Sequence, residues 1–273
     1  MLRYRFILLL AFCSLATLQN AQTTRTLKPI LELQMPEGSG SNGGGVAWHV
    51  EQKKYYAAFA GNADFPLTVF DKTGKRLSGE GLTTGFDVRG IWYDPIEKGI
   101  FGNAYGESGW FMLNLDESGI PLASDNVIDE MIQPDNNSVG FVSICKNAIC
   151  FLSGQEVKIY IDQEEVMDEN LRLYAGLSKK PKVVKENEDA DKYNMPENYN
   201  SNVAVCTELP KAEFGLLNIS TKQIELYDKT TGLMTQILKL PTNAPTNNMF
   251  NFSFANGIYW LFDKEKRRWV GYK

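Results

Sequence analysis

Residues 38–48 read GSGSNGGGVAW. Gly38, Gly40 and Gly43 match G-x-G-x-x-G, and the preceding PILELQMP reads as a strand. A dinucleotide-binding turn of that form must open a helix, whose N-terminal N–H groups hold the pyrophosphate. Here the glycines open VAWHV, which is β-branched and aromatic and reads as a second strand. Asp64 stands about 20 residues further on, where such a fold would place its ribose-binding acid. It lies inside the loop-like GNADFP, not at the end of a parallel strand. The glycines are therefore expected to serve a tight crossing where backbones approach closely.

The strand after the glycines begins a unit that recurs. VAWHV, YYAAFA and LTVFD are followed by GIWYD, GIFGNAY and GWFMLNLD, then by VGFVSIC, AICFLSG and VKIYID, then by NVAVCTE, AEFGLLNI and QIELYD. Such short runs of Val, Ile, Phe and Tyr, separated by Gly, Asn, Asp and Lys, are the pattern of antiparallel hairpins. The third run of each unit ends at an aspartate: Asp71, Asp116, Asp162 and Asp228, spaced 45, 46 and 66 residues apart. Each aspartate is expected to start a turn by accepting backbone N–H groups two residues on. A period near 45 suits a four-stranded propeller blade.

A fifth unit, MFNFSFAN, GIYWLFDK and RRWVGYK, reaches Lys273 with only three runs. Its fourth is expected at the other end of the chain. ILELQMP (30–36) resembles QILKLP (236–241), which follows the fourth unit's aspartate; both alternate apolar and polar residues and end in proline. The N-terminal strand should thus complete the last blade and cover an edge that would otherwise be aggregation-prone. The fold expected is an all-β, five-bladed propeller. KKPKVVKENEDADKYNMPEN (179–198), which accounts for the long spacing, reads as a charged loop insertion; read instead as a degenerate blade, it would make six.

Residues 43–75, and most clearly GGVAWHVEQKKYYAAFAGNADFPLTVFDKTGK, resemble an NHL-type repeat. They share a Gly-Val-Ala first strand, a Tyr-Ala second strand and a Val-Phe-Asp-x-x-Gly-Lys exit. More broadly the chain is similar to the NHL, YVTN and SMP-30-like propellers. It departs from them at Trp48-His49-Val50 and at Phe59, where NHL repeats usually carry Asp. The resemblance implies a ring of antiparallel blades with loops on two faces. It implies no single activity, because the group includes lactonases, lyases, scaffolds and ligand binders.

The first 21 residues have the anatomy of a cleavable signal peptide: Arg3 and Arg5, an apolar run from Phe6 to Leu15, and Ala21 before the cut. That run is far shorter than the roughly 20 residues a bilayer requires. Cys13 follows Phe12, where a lipidated cysteine normally follows a small residue. The mature protein, 22–273, is thus expected to be a single secreted or periplasmic domain without membrane insertion. It would hold 26 basic and 33 acidic residues, a formal charge of −7, which argues against nucleic acid as a partner. Three cysteines remain. Cys145 and Cys150 could bridge across KNAI, or all three could be small buried apolar residues.

His49 is the sole histidine, and no G-x-S-x-G is present. A serine triad would have to use His49, which reads better as a polar residue at a strand end; one histidine without C-x-x-C argues against a zinc set, and no catalytic residue is assigned. Polar residues do recur just before the first strand of each unit: Asn42; Asp87 with Arg89; Asn136 and Asn137; Asn200 and Asn202; Asn247 and Asn248. If the blades superpose, Asn42, Asp87, Arg89, Asn137, Asn202 and Asn248 converge on one mouth of the ring, where they could hold a sugar or peptide. Asn also favours turns in any protein. Trp48, Trp92, Trp110, Trp260 and Trp269 could line a carbohydrate site or pack between blades. The function expected is a binding module for a protein, peptide or glycan, with no cofactor. The alternative is a hydrolase of the SMP-30-like lactonase kind, whose relatives hold Ca²⁺ or Mg²⁺ in the channel through carboxylates and asparagine.

Overall fold

The computed structural model describes residues 23–181 and 194–273. The signal-peptide segment, and residues 182–193 of the charged insertion, lie outside the described residues. Two N-terminal strands, β1 (Thr23–Thr26) and β2 (Pro29–Gln34), precede the first blade, which contains β3 (Asn42–His49), β4 (Lys54–Ala60) and β5 (Leu67–Asp71). The second holds β6 (Val88–Asp94), β7 (Gly99–Ala104), β8 (Trp110–Leu115) and β9 (Pro121–Ile128). The third holds β10 (Phe141–Ser143), β11 (Ala148–Ser153), β12 (Glu156–Ile161), β13 (Glu164–Glu165) and β14 (Leu171–Arg172). The fourth holds β15 (Tyr199–Cys206), β16 (Phe214–Asn218), β17 (Gln223–Tyr227) and β18 (Met234–Lys239). The fifth holds β19 (Phe252–Ala255), β20 (Ile258–Asp263) and β21 (Arg268–Tyr272). The first strands of the five sheets touch in ring order, β3 to β6, β10, β15, β19 and back to β3. Five blades, not six, are present among the described residues.

The N-terminal strand closes the ring. β2 lies antiparallel on β21, pairing Leu31 with Gly271 and Leu33 with Trp269. β1 adds something the sequence does not announce: TTRT pairs in parallel with β18, so the fourth blade carries a fifth strand. The N-terminal segment therefore ties the fourth blade to the fifth. The first blade departs from four strands. Residues 75–83, interrupted by Gly79 and Gly81, lack a run of strand formers and lie irregularly along β5, held by Leu77 N to Val69 O at 2.8 Å and Leu67 N to Leu82 O at 3.0 Å.

The core is five wedges, one between each pair of neighbouring blades. Strand alternation feeds both sides. On β4, Tyr55, Ala57 and Phe59 pack toward the fifth blade, whereas Tyr56 and Ala58 pack toward the second. On β20, Trp260 and Phe262 face the first blade and Tyr259 and Leu261 the fourth. Because both faces of a blade are covered, its middle strands read as nearly continuous apolar runs. Each fully buried aromatic contributes roughly 1.5–3 kcal/mol of transfer free energy.

The glycine stretch is built opposite to a phosphate loop. Arg267 turns its guanidinium into it and donates to the carbonyls of Pro36, Ser39 and Gly40, while lying 4.6 Å over the Phe59 ring. Carbonyl oxygens gathered on a cation present the wrong polarity to a pyrophosphate. Gly43 sits where the closing blade presses on β3: a Cβ there would lie 2.2 Å from Trp269 Cζ2. Gly45, at φ +99°, occupies the register shift of β3.

Asp71, Asp116 and Asp228 begin turns through their carboxylates. Asp71 Oδ1 accepts Thr73 N at 2.7 Å, Asp116 Oδ1 accepts Ile120 N at 2.8 Å, and Asp228 Oδ1 accepts Thr230 N at 2.8 Å. Asp162 differs: it and Gln163 both have positive φ, 50° and 71°, between paired Ile161 and Glu164. It makes a two-residue hairpin by backbone angle instead.

Candidate functional site

The channel has two unlike ends. Its inner strands run the same way: Gly45 abuts Ile91, Gly90 abuts Gly140, and Ser253 hydrogen-bonds Val46. The starts of the five strands therefore gather at one mouth and their ends at the other.

At the starting mouth the structure brings the six sequence-singled residues together. Arg89, 6% exposed, donates to both oxygens of Asp87 and, from Nε, to Asn137 Oδ1 at 3.2 Å. Its guanidinium lies between the Tyr105 and Phe250 rings, 4.7 and 5.0 Å from their centroids. Asn202 Nδ2 reaches Asn137 O at 3.5 Å. Asn248 Oδ1 accepts Ser201 N at 3.1 Å, and Asn251 Nδ2 contacts both Asn248 O and Asn42 Oδ1. Most of their polar atoms thus engage protein atoms. Asn200 and Asn251 are fully buried: Asn200 Oδ1 caps Asn202 N and Val203 N at 3.0 Å each, and Asn251 Oδ1 accepts Gly43 N at 2.9 Å.

The opposite mouth opens into a cavity of about 630 Å³, within the usual range for small-ligand sites. Its wall is mainly apolar: Trp48, Tyr93, Phe141, Ile144, Leu209 and Phe254. Val50, Ile144 and Leu209 are exposed large apolar residues on its rim. Charge is sparse. Arg25, Glu208 and Lys273 line it, and none of the three forms an ion pair among the described residues. Position in the strand explains the contrast with the other mouth, since these residues stand where inner strands end. Sequence reasoning noted Trp48 as a carbohydrate-site option but passed over Arg25, Glu208, Leu209 and Lys273, which lie in turns or at the chain's margins. Trp260 and Trp269 are fully buried between blades, and Trp92 and Trp110 nearly so.

His49 is buried beside this mouth, with its ring 5.0 Å from that of Tyr93. Nδ1 accepts Gln52 N at 3.3 Å. Burial holds its pKa below the ordinary value, against the opposing pull of Glu51. Burial likewise raises the Tyr93 hydroxyl. Cys150 is fully buried on β11, and the side chain of Cys145 lies outside the described residues. Among the described residues, no three His, Cys, Asp or Glu side chains come together as a metal-holding group. Among the described residues, Glu208 supplies the one carboxylate side chain on the cavity wall, a donor set that does not fit the Ca²⁺ or Mg²⁺ of the lactonase alternative.

No known family's sequence profile matches the chain, and no curated protein matches it. Among solved structures, a glutaminyl cyclase from Myxococcus xanthus aligns over 93% of this chain and 98% of its own, with a TM-score of 0.51 and 10% identity. A streptogramin B lyase aligns over 86% of this chain and 65% of its own, at TM-score 0.40 and 16% identity. A nidogen/laminin complex aligns over 75% of this chain and 66% of the matched chain, at 0.39 and 10%. At such identities the likeness to the cyclase shows the β-propeller fold alone.

Proposed function

We propose that the chain is an exported propeller that binds a peptide, or a peptide segment of a protein, at the open mouth of its channel. The observation that carries this is the cavity: a concave, mainly apolar wall with three large apolar side chains exposed on its rim. That surface offers little to a glycan, which needs dense hydrogen-bonding groups. The NHL-like residues 43–75 support placing the chain near that branch of propellers. Among the described residues no group of carboxylates converges as the metal-dependent hydrolase would need.

Thermal shift and tryptophan fluorescence test the reading directly. The tetrapeptide acetyl-Ala-Leu-Leu-Phe should raise the melting temperature and perturb emission, since Trp48 stands on the wall. Maltotriose and Ca²⁺ should do neither. The rim variants Val50→Asp and Leu209→Asp should lose the peptide response and keep the unliganded melting temperature, because both side chains are exposed. Stabilisation by Ca²⁺ alone would overturn the reading in favour of the hydrolase. Turnover of a peptide with N-terminal glutamine would overturn it in favour of the activity named for the Myxococcus xanthus protein.

A further inference from the structure

The cavity mouth has a collar set by strand register. The first hairpin of each blade has a last rung before its turn: His49 with Lys54, Asp94 with Gly99, Ser143 with Ala148 and Ala255 with Ile258. In the fourth blade Thr207 N to Glu213 O, at 2.6 Å, takes that place. One rung further in stand Trp48, Tyr93, Val142, Cys206 and Phe254, paired with Tyr55, Ile100, Ile149, Phe214 and Tyr259. His49, Ser143, Thr207 and Ala255 are buried, whereas all five residues one rung in are half-buried and line the cavity. Successive strand residues point to opposite faces, so the two rungs differ in this way. The inner strands touch in ring order, which sets the five at one level around the channel. Three of them are aromatic, and these fall on neighbouring blades: Phe254 on the fifth, Trp48 on the first and Tyr93 on the second. Val142 and Cys206 complete the collar on the third and fourth.

Glu208 stands across the ring from this aromatic arc. It lies two residues beyond Cys206 in the turn of the fourth blade, which neighbours neither the first blade nor the second. It lines the same cavity and forms no ion pair among the described residues. We infer that the collar takes an arginine side chain of the bound peptide, with the guanidinium against the aromatic arc and its far edge toward Glu208. The inference rests on the peptide-binding reading above and names a side chain that the peptide carries. Aromatic faces are electron-rich and attract a cation lying within about 6 Å of the ring centre. An aliphatic side chain gains contact area from the arc and nothing from Glu208, whereas a cation gains from both. A guanidinium is planar and more weakly hydrated than an ammonium, so it stacks on rings at less cost in lost water and presents a fork to a carboxylate. The cations of the wall do not fill this place. Arg25 is on β1, four strand spacings out from β15, or about 19 Å, and Lys273 brings its main-chain carboxyl group with its ammonium. The formal charge of −7 on residues 22–273 also draws a basic partner.

The test is calorimetry on the full chain with acetyl-Ala-Leu-Arg-Phe-amide and with the same peptide carrying citrulline, an uncharged isostere, in place of arginine. The arginine peptide should bind at least ~5-fold tighter. Trp48→Leu and Tyr93→Leu keep an apolar wall and each remove one ring face, and Glu208→Gln removes the charge; each should reduce the ratio of the two affinities. Because that ratio is read within one variant, a general loss of stability does not mimic the effect. Glu208→Gln, at an exposed turn residue, also keeps the melting temperature. Equal binding of the two peptides by the parent chain would overturn the arginine inference and leave peptide binding to stand on acetyl-Ala-Leu-Leu-Phe. An unchanged ratio in all three variants would overturn the collar as the site. Tighter binding of choline than of the arginine peptide would overturn the peptide as the source of the cation. No binding by acetyl-Ala-Leu-Leu-Phe or by either amide would overturn the function proposed above.

Discussion

Gly43 offers the sharpest test of ring closure, because its missing side chain is explained by a residue 226 positions away. A Cβ built on Gly43 would meet Trp269 Cζ2 at 2.2 Å, Cη2 at 2.7 Å and Cε2 at 3.0 Å. Trp269 is fully buried against β2 and the first blade, so it has nowhere to retreat. Gly43→Ala should therefore cost roughly 1–3 kcal/mol by overpacking, or more. The backbone at Gly43 does not lie in the left-handed region, so no conformational strain is added. Without the indole, the same substitution should be neutral or stabilise by up to about 1 kcal/mol through the unfolded chain. Trp269→Leu removes the clashing ring atoms at its own cost, below the roughly 3–5 kcal/mol of a Trp-to-Ala truncation. The double variant Gly43→Ala/Trp269→Leu should then be no less stable than Trp269→Leu alone. Urea unfolding followed by far-UV circular dichroism supplies the four free energies of the cycle. Additive costs, with Gly43→Ala equally damaging in both backgrounds, would refute the close approach and with it the pairing of β2 on β21.

Deleting residues 22–36 removes β1 and β2, bares the edges of β18 and β21 and strips Leu33 from its wedge; the expected product is insoluble or non-cooperative in melting, and a soluble two-state truncation would count against the topology. Arg267→Lys should fail to restore what Arg267→Ala loses, since an ammonium cannot span the three carbonyls of Pro36, Ser39 and Gly40; limited proteolysis near Glu37–Ser41 reads the loosened loop. The pKa of His49 is lowered in the folded chain, so the unfolded chain takes up the proton first. Stability is full above the unfolded value of 6.5 and declines as pH falls through it toward the folded value; His49→Gln should flatten that slope in melting temperature.

The architecture was legible because each blade obeys a local rule. Alternation on strands such as KYYAAFA and IYWLFD feeds two wedges at once, and the turn aspartates mark the period. ILELQMP was recognisable as the closing strand by its likeness to QILKLP. TTRT was not recognisable as a strand at all: it carries no apolar residue, and it pairs only because β18 presents a free edge beside it. VGFVSIC was read as one strand, yet it breaks after Ser143 into a short 3₁₀ turn ended by Asn147 at φ 51°. The convergence of Asn42, Asp87, Arg89, Asn137, Asn202 and Asn248 also followed from their shared place before the inner strands. Their partners did not. Asn251 reaches Gly43 across 208 positions, and no periodicity encodes that bond.

The two ends of the channel differ for a reason rooted in backbone hydrogen bonding. At the starting mouth the chain arrives from the outer edge of the preceding blade, and the crossing leaves N–H and C=O groups without ladder partners. Asparagine, with a donor and an acceptor on one short side chain, meets that need: Asn103 takes Gly140 N at 2.9 Å and gives to Ser138 O at 2.8 Å, and Asn200 and Asn251 act likewise. Asn103, Asn200 and Asn251 at this mouth thus satisfy backbone groups that the crossings leave open. At the other mouth the inner strands turn back more directly into their neighbours. Asn256 and Gly257 link β19 to β20 in two residues, with φ of 56° and 69°, and strand pairing resumes at once between Ala255 and Ile258. Few backbone groups are stranded there, so side chains are free to be apolar and to face a cavity. In a ring built this way, Asn103, Asn200 and Asn251 serve the crossings, and the ends of the inner strands carry the apolar wall.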